Sequence, residues 1–260
     1  MGLWVPLSVL LLCAGCQRPP RVTRPPLRIL CGSSLATPLD EIQKAFSAAR
    51  DIEVEVDLGG SETLLPKILA GGRADIFVCH DPFEEKLRAK GLATESVSVG
   101  YLEPVLAVRP GNPKGIRSIA DLGEPGVRLG IGDPRYSTCG ALFVERALPD
   151  PALRDRVLGN VELQARTHAE VANGLILGPL DAVVVWNFVT ALYPGKLESV
   201  AVGVPFPATR VTIVGLTAGA RPEARDAFLD WCRQPSVTER FRAGAYTRDP
   251  RLSTPPAPSP

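Results

Sequence analysis

The residues with the clearest chemical potential lie between Asp57 and Asp81, in the segment DLGGSETLLPKILAGGRADIFVCHD. Gly59-Gly60-Ser61 makes a small-residue turn. Leu64, Leu65, Ile68 and Leu69 follow at helical spacing, and Gly71-Gly72 ends that helix. Residues 74–79 then read as a short apolar strand running into His80-Asp81. Such a turn opening a helix is an anion cradle. The first backbone N–H groups of a helix have no internal partner, and the helix dipole places about half a positive charge there. The Ser61 hydroxyl either caps the helix or donates to a bound oxygen. The order strand, small-residue turn, helix recurs at residues 127–131, Ser137-Thr138-Cys139-Gly140 and residues 141–148.

Two other sets of residues could carry chemistry. Cys31 and Cys79 fall at the ends of strands expected to be neighbours, and with His80 and Cys139 they could gather soft metal ligands. No C-x-x-C or H-x-x-x-H spacing supports a metal site, and a Cys31–Cys79 disulfide is the simpler use of the pair in an oxidising compartment. Gly32-x-Ser34-x-Ala36 after a strand is a faint nucleophile elbow. The chain has only two histidines, His80 and His168, and neither stands in a triad pattern. Both are expected at the surface or as helix caps, and no enzyme is expected.

The elements that must position these residues alternate between strand and helix. Residues 27–30 form an apolar strand followed by the turn Cys31-Gly32-Ser33-Ser34. Thr37-Pro38-Leu39-Asp40 marks a helix start, with Leu39, Ile42, Ala45 and Phe46 on its buried face. Residues 52–58 (IEVEVDL) alternate as an edge strand does, residues 83–90 read as a helix ended by Gly91, and residues 101–108 as a strand. Pro110-Gly111-Asn112-Pro113 breaks the chain. Residues 161–165 read as a strand, 168–177 as a helix, 211–216 as a strand and 223–232 as a helix. The run at 180–188 (LDAVVVWNF) suits a strand buried on both faces. Alternation of this kind predicts an α/β protein with mostly parallel sheets, whose ligand sits at the carboxyl ends of the strands.

Length and charge narrow the function. With 260 residues, 29 basic against 28 acidic and a formal charge of +1, the chain has room for two domains and no basic excess for nucleic acid. Residues 3–15 are apolar but too short to span a bilayer, as a signal-peptide core is. They end in Leu12-Cys13-Ala14-Gly15-Cys16, which resembles a bacterial lipoprotein cleavage site with Cys16 as the lipidated residue. Residues 1–16 are therefore expected to be a signal peptide and 17–26 (QRPPRVTRPP) an extended linker. The tail 249–260 is too poor in apolar residues to pack.

In order and wording, the segments from about Leu27 to about Arg248 resemble the periplasmic molybdate-binding proteins of ABC importers, within the type II solute-binding fold. Ser33-Ser34-Leu35 stands where that family has its first oxyanion-binding serine. Gly60-Ser61, with Ala74-Asp75-Ile76-Phe77 and Asp81 downstream, is similar to the second serine segment. Gly132-Asp133-Pro134 with Cys139-Gly140 resembles the third, where a backbone N–H binds the ligand, and Glu170-Val171 the fourth. Val184-Val185-Trp186 matches a strand end that carries a tyrosine in the family; here a tryptophan N–H replaces the hydroxyl.

The resemblance implies an oxyanion site made of Ser34, Ser61, Cys139, Val171 and Trp186, with no lysine or arginine. It implies two α/β lobes, 27–103 with 205–248 and 104–204, closing on molybdate or tungstate. The protein would be a monomer with no other cofactor, held at the periplasmic or cell surface by its lipid and docking on a membrane permease. Sulfate, phosphate, or a soft metal at Cys31, Cys79 and Cys139, are the alternatives. Glu62 suits a helix start by dipole but would repel an anion if it turned inward.

Overall fold

The computed structural model describes residues 24–200, 208–244 and 246. The expected signal segment 1–16 with Cys16, residues 17–23 of the linker, the tail 249–260 and the boundary at 205 lie outside the described residues. In chain order the elements are β1 (Leu27–Gly32), a 3-10 turn (Ser33–Leu35), α1 (Ala36–Arg50), β2 (Val54–Gly59), α2 (Ser61–Leu69), β3 (Ile76–His80), α3 (Phe83–Arg88) and β4 (Ala93–Leu102). There follow β5 (Pro104–Val108), β6 (Leu129–Gly132), α4 (Thr138–Leu142), α5 (Pro151–Gly159), β7 (Val161–Ala165), α6 (His168–Ile176) and β8 (Ala182–Trp186). The chain ends with α7 (Asn187–Leu192), β9 (Glu198–Val200), β10 (Thr209–Leu216), α8 (Pro222–Cys232) and α9 (Pro235–Ala243).

The strands form two five-stranded sheets, ordered β2-β1-β3-β10-β4 and β7-β6-β8-β5-β9. Their sheets are mixed rather than mostly parallel. β1 pairs parallel with β2 and β3, whereas β10 runs antiparallel to β3 and β4. The second sheet repeats the plan, with β6 parallel to β7 and β8 and β5 antiparallel to β8 and β9. Parallelism breaks where the chain crosses between sheets. The apolar stretch 101–108 is two strands, not one: β4 ends the first sheet's share and β5 enters the second, with Glu103 between them. Asn187 holds that joint, donating its N–H to the Glu103 carbonyl (2.8 Å) and accepting the Glu103 N–H on its side chain (3.2 Å). Pro104, which has no N–H to give a ladder, sits at the first position of β5.

Both sheets use the same device to fix their central strand. Asp75, just before β3, accepts the N–H of Arg28 (2.9 Å) and of Arg221 (2.7 Å) while its own N–H donates to the Arg28 carbonyl (2.9 Å). Asp181, just before β8, accepts the Arg128 N–H (3.0 Å) and both arms of its guanidinium (3.1 Å each), and its N–H donates to the Arg128 carbonyl (2.8 Å). Each carboxylate is buried and fully paired, as a buried charge must be. The central strands IFVCH and AVVVW are buried along their whole length, and the acidic residues of the edge strand β2 face water.

Alternation along β1 and β3 sends Cys31 and Cys79 to opposite faces of the first sheet. Cys31 pairs in register with Val78 and packs under α1, α8 and α9, while Cys79 packs under α2 and α3. They form no disulfide, and with Cys139 they form no ligand set; no group of three or more metal-ligating side chains occurs among the described residues. α1 begins one residue before the expected cap at Thr37, behind the 3-10 turn, so Pro38 lies in its first turn where no N–H is needed. The Ser34 carbonyl, which residue 38 would otherwise satisfy, accepts the Tyr246 hydroxyl. α2 starts at Ser61 despite Pro66 within it.

Candidate functional site

The carboxyl ends of β1, β3 and β8 and the starts of α1, α2, α4 and α6 open onto one cavity of about 240 Å³. Ser33, Ser34, Gly60, Ser61, Glu62 and His80 line it from the first sheet's side. Ser137, Thr138, Arg166, Thr167, His168, Ala169, Trp186 and Phe188 line it from the second. Three expected residues, Ser34, Ser61 and Trp186, therefore meet there.

Ser61 is the first residue of α2, with Gly60 as the cap, so its side chain is not used for capping. Its Oγ is buried and has no hydrogen-bond partner in the protein. A buried hydroxyl left without a partner costs about 1–3 kcal/mol, which a ligand acceptor would recover. Gly32 makes room for it: a Cβ at that position would sit 2.6 Å from Ser61 Oγ.

The backbone donors differ from expectation. Thr167 caps α6, its hydroxyl accepting the Glu170 N–H (3.2 Å) while Glu170 Oε2 accepts the Thr167 N–H (3.0 Å). Val171 is thus the fourth helical residue, and its N–H already donates to the Thr167 carbonyl (3.2 Å). It offers nothing to a ligand; His168 and Ala169, at the two positions before Glu170, border the cavity instead. The capping box Thr167-x-x-Glu170 was readable in the sequence and places those two residues at the helix start. At α4, Ser137 is the cap, accepting the Gly140 N–H (3.3 Å). Cys139 is wholly buried off the cavity wall, and its neighbour Thr138 lines the wall instead. Gly140 is required there, since a Cβ would lie 1.9 Å from the Gly132 carbonyl oxygen.

Glu62 turns inward. Its Oε1 accepts both the N–H and the hydroxyl of Thr138 at 2.8 Å, crossing from the first sheet's side of the cleft to the second's. The protein's own carboxylate thus sits at the start of α4, where the sequence placed a ligand donor.

His80 is buried, and His168, partly buried, is the first residue of α6 rather than its cap. Trp186, almost completely buried, lies between them, its ring 5.7 Å from that of His80 and 6.0 Å from that of His168. Burial lowers both imidazoles below the ordinary histidine value, that of His168 to about 4 with the neighbouring His80 adding to the effect. At His80 the Asp81 carbonyl, Glu62 and Asp81 act the other way. Ser61 Oγ and His168 Nδ1 both lack a partner, so neither belongs to a nucleophile–base pair. An arginine does reach the site: the Arg166 guanidinium lies 3.9 Å over the Tyr136 ring, both on the cavity wall. Burial also raises the four described thiols, that of Cys79 to about 12, which disfavours the thiolate at each.

Comparison with known proteins identifies the family and the fold. The molybdate-binding protein ModA of Mycobacterium tuberculosis is 27% identical over 220 residues, 83% of this chain and 77% of that one. The sulfate-binding protein SubI of the same organism superposes with a TM-score of 0.75 at 17% identity, covering 88% of this chain and 89% of that one. The periplasmic molybdate-binding protein of Azotobacter vinelandii superposes with a TM-score of 0.70 at 18% identity, covering 86% and 99%. The family model described as bacterial extracellular solute-binding protein matches residues 27–246, both sheets and the cleft between them, and the chain belongs to that family.

Proposed function

We propose that the protein captures a tetrahedral oxyanion, molybdate or tungstate, in the cleft and delivers it to the membrane permease of an ABC importer. The observation that carries this reading is the buried, unpartnered Ser61 hydroxyl at the start of α2, facing a cavity also bordered by Ser34 and by the opening of α6. Helix starts and hydroxyls from both sheets supply donors to a small anion, each bond to a charged acceptor contributing about 1.5–3 kcal/mol. At about 240 Å³ the cavity is smaller than most pockets for organic molecules, roughly 300–1,000 Å³, and suits an ion with some water. The molybdate-binding relatives support the choice of ion.

In this reading the lobes run 27–103 with 205–248 and 104–204, and closing them on the anion makes the surface that the permease reads. The mature chain begins at a lipidated Cys16, works as a monomer in the periplasm or at the cell surface, and catalyses no reaction.

A second oxyanion is favoured by one feature. Glu62 is a pure acceptor, and hydrogen phosphate has a proton to give it where molybdate has none. Thermal melts with molybdate, tungstate, sulfate and phosphate decide between them, because binding stabilises by mass action. A rise in Tm with molybdate and tungstate but not sulfate or phosphate is expected. A response to phosphate alone assigns the second reading, and equal responses to all, or none, end the molybdate assignment.

A further inference from the structure

We propose that His80 and His168 are ligand-binding residues of the cleft, and that the anion is taken up together with one proton, which His80 holds in the complex. This rests on the oxyanion reading above. Both rings border the cavity with Trp186 between them. His80 Nδ1 lies 2.9 Å from the Asp81 carbonyl oxygen. A carbonyl can only accept, so Nδ1 carries the hydrogen and Nε2 of the neutral ring is the lone pair left for the cleft. His168 Nδ1 is buried without a partner in the same wall.

A lone pair turned toward an oxyanion repels it, and one proton converts it into a charge-assisted donor. The groups around the two rings decide which takes that proton. From α2, Glu62 faces His80; on its own strand end, Asp81 does, while Asp81 is also paired at 3.2 Å with Arg210 of β10. Arg166 precedes α6 on the same cavity wall, and Trp186 and Phe188, from β8 and α7, are uncharged. His80 thus has the carboxylates Glu62 and Asp81, while at His168 the neighbouring His80 opposes a proton. A proton on one ring opposes a proton on the other, so a single proton enters and His80 holds it. Without the anion, burial keeps both rings neutral near pH 7.

Binding therefore consumes about one proton near pH 7, and the affinity for molybdate falls about tenfold per pH unit between the value for His80 in the free protein and its value in the complex. The sign follows because the bound state holds more protons than the free one. Calorimetric titration of the protein with molybdate at pH 7, in two buffers of different ionisation heat, counts the protons. Long-range proton–nitrogen spectra show which ring takes them, since the chain has only two histidines, each assigned by its glutamine variant.

The expected result is about one proton per molybdate. His80 signals change from the Nδ1–H neutral form to imidazolium, and His80→Gln loses the uptake and binds at least tenfold more weakly. Molybdate heat with no proton uptake and unmoved histidine signals in the wild-type protein overturns the proposal and leaves the oxyanion reading standing. Uptake that survives His80→Gln but disappears in Glu62→Gln overturns it as well, placing the proton on the carboxylate. The absence of any molybdate heat overturns both inference and reading.

Discussion

Glu62→Gln removes one negative charge from the cleft while keeping the length and shape of the side chain. Oε1 accepts two bonds of 2.8 Å from Thr138. A bond to a charged acceptor contributes about 1.5–3 kcal/mol and a neutral one about 0.5–1.5 kcal/mol, so glutamine weakens this bridge by roughly 2 kcal/mol in all. An anion arriving at the start of α4 must displace the bridge, and it gains that difference. Relief of like-charge repulsion acts in the same direction. Loss of the carboxylate beside a protonated His80 acts against it, but a dianion plus one imidazolium still carries net negative charge, so repulsion dominates. The net expectation is molybdate binding about tenfold tighter, or about 1.4 kcal/mol. Tryptophan fluorescence can follow the titration, because Trp186 borders the cavity. Unchanged or weaker molybdate binding would refute the reasoning, since Glu62 would then not compete with the ligand. Phosphate, if it is the ligand, should instead bind more weakly to the variant, having lost the acceptor for its proton.

Other perturbations test separate links. Ser61→Ala deletes a hydroxyl with no protein partner, so the ligand-free Tm should hold or rise slightly, while oxyanion affinity falls roughly 10- to 100-fold by titration. Gly140→Ala should destabilise by more than about 3 kcal/mol in denaturant melts, because the new Cβ meets the Gly132 carbonyl oxygen at 1.9 Å and the backbone must move. His168 is ordinarily protonated below about 6.5 but in the folded chain only below about 4. As pH falls through that window the unfolded chain gains a proton that the folded one refuses. Without added anion the protein should therefore lose about 3 kcal/mol, and His168→Gln should flatten that loss. Asp181→Ala should lower the Tm, because the Arg128 N–H loses its acceptor at the start of the buried strand β8.

Much of the scaffold could be read from local pattern. The alternation of IEVEVDL gave the edge strand β2, and the unbroken apolar runs gave the buried strands β3 and β8. Strand direction was not legible, because β10 and β5 enter their sheets from distant crossings and nothing local in TRVTIVGL or PVLAV encodes an antiparallel neighbour. The break at Glu103-Pro104 was available as a proline signal but was hidden within a continuous apolar stretch.

At the site, the glycine-serine turns that place Ser34 and Ser61 were legible because they depend on chain geometry within a few residues. Val171 stands three positions beyond His168, the first residue of α6, because the capping box at Thr167 sets the helix start. The inward turn of Glu62 and the meeting of both histidines at Trp186 depend on contacts between the two sheets. Sequence spacing carries no record of those. Opposite-facing side chains on β1 and β3 likewise separate Cys31 from Cys79, although their strands are neighbours.

Whether donors from both sheets enclose one small oxyanion is tested most directly by equilibrium dialysis against molybdate, with elemental analysis of the retained protein. The account predicts one molybdenum per chain at saturation, displaced by tungstate and much reduced in Ser61→Ala. Protein that retains no molybdenum, or retains it equally after Ser61→Ala, would contradict it.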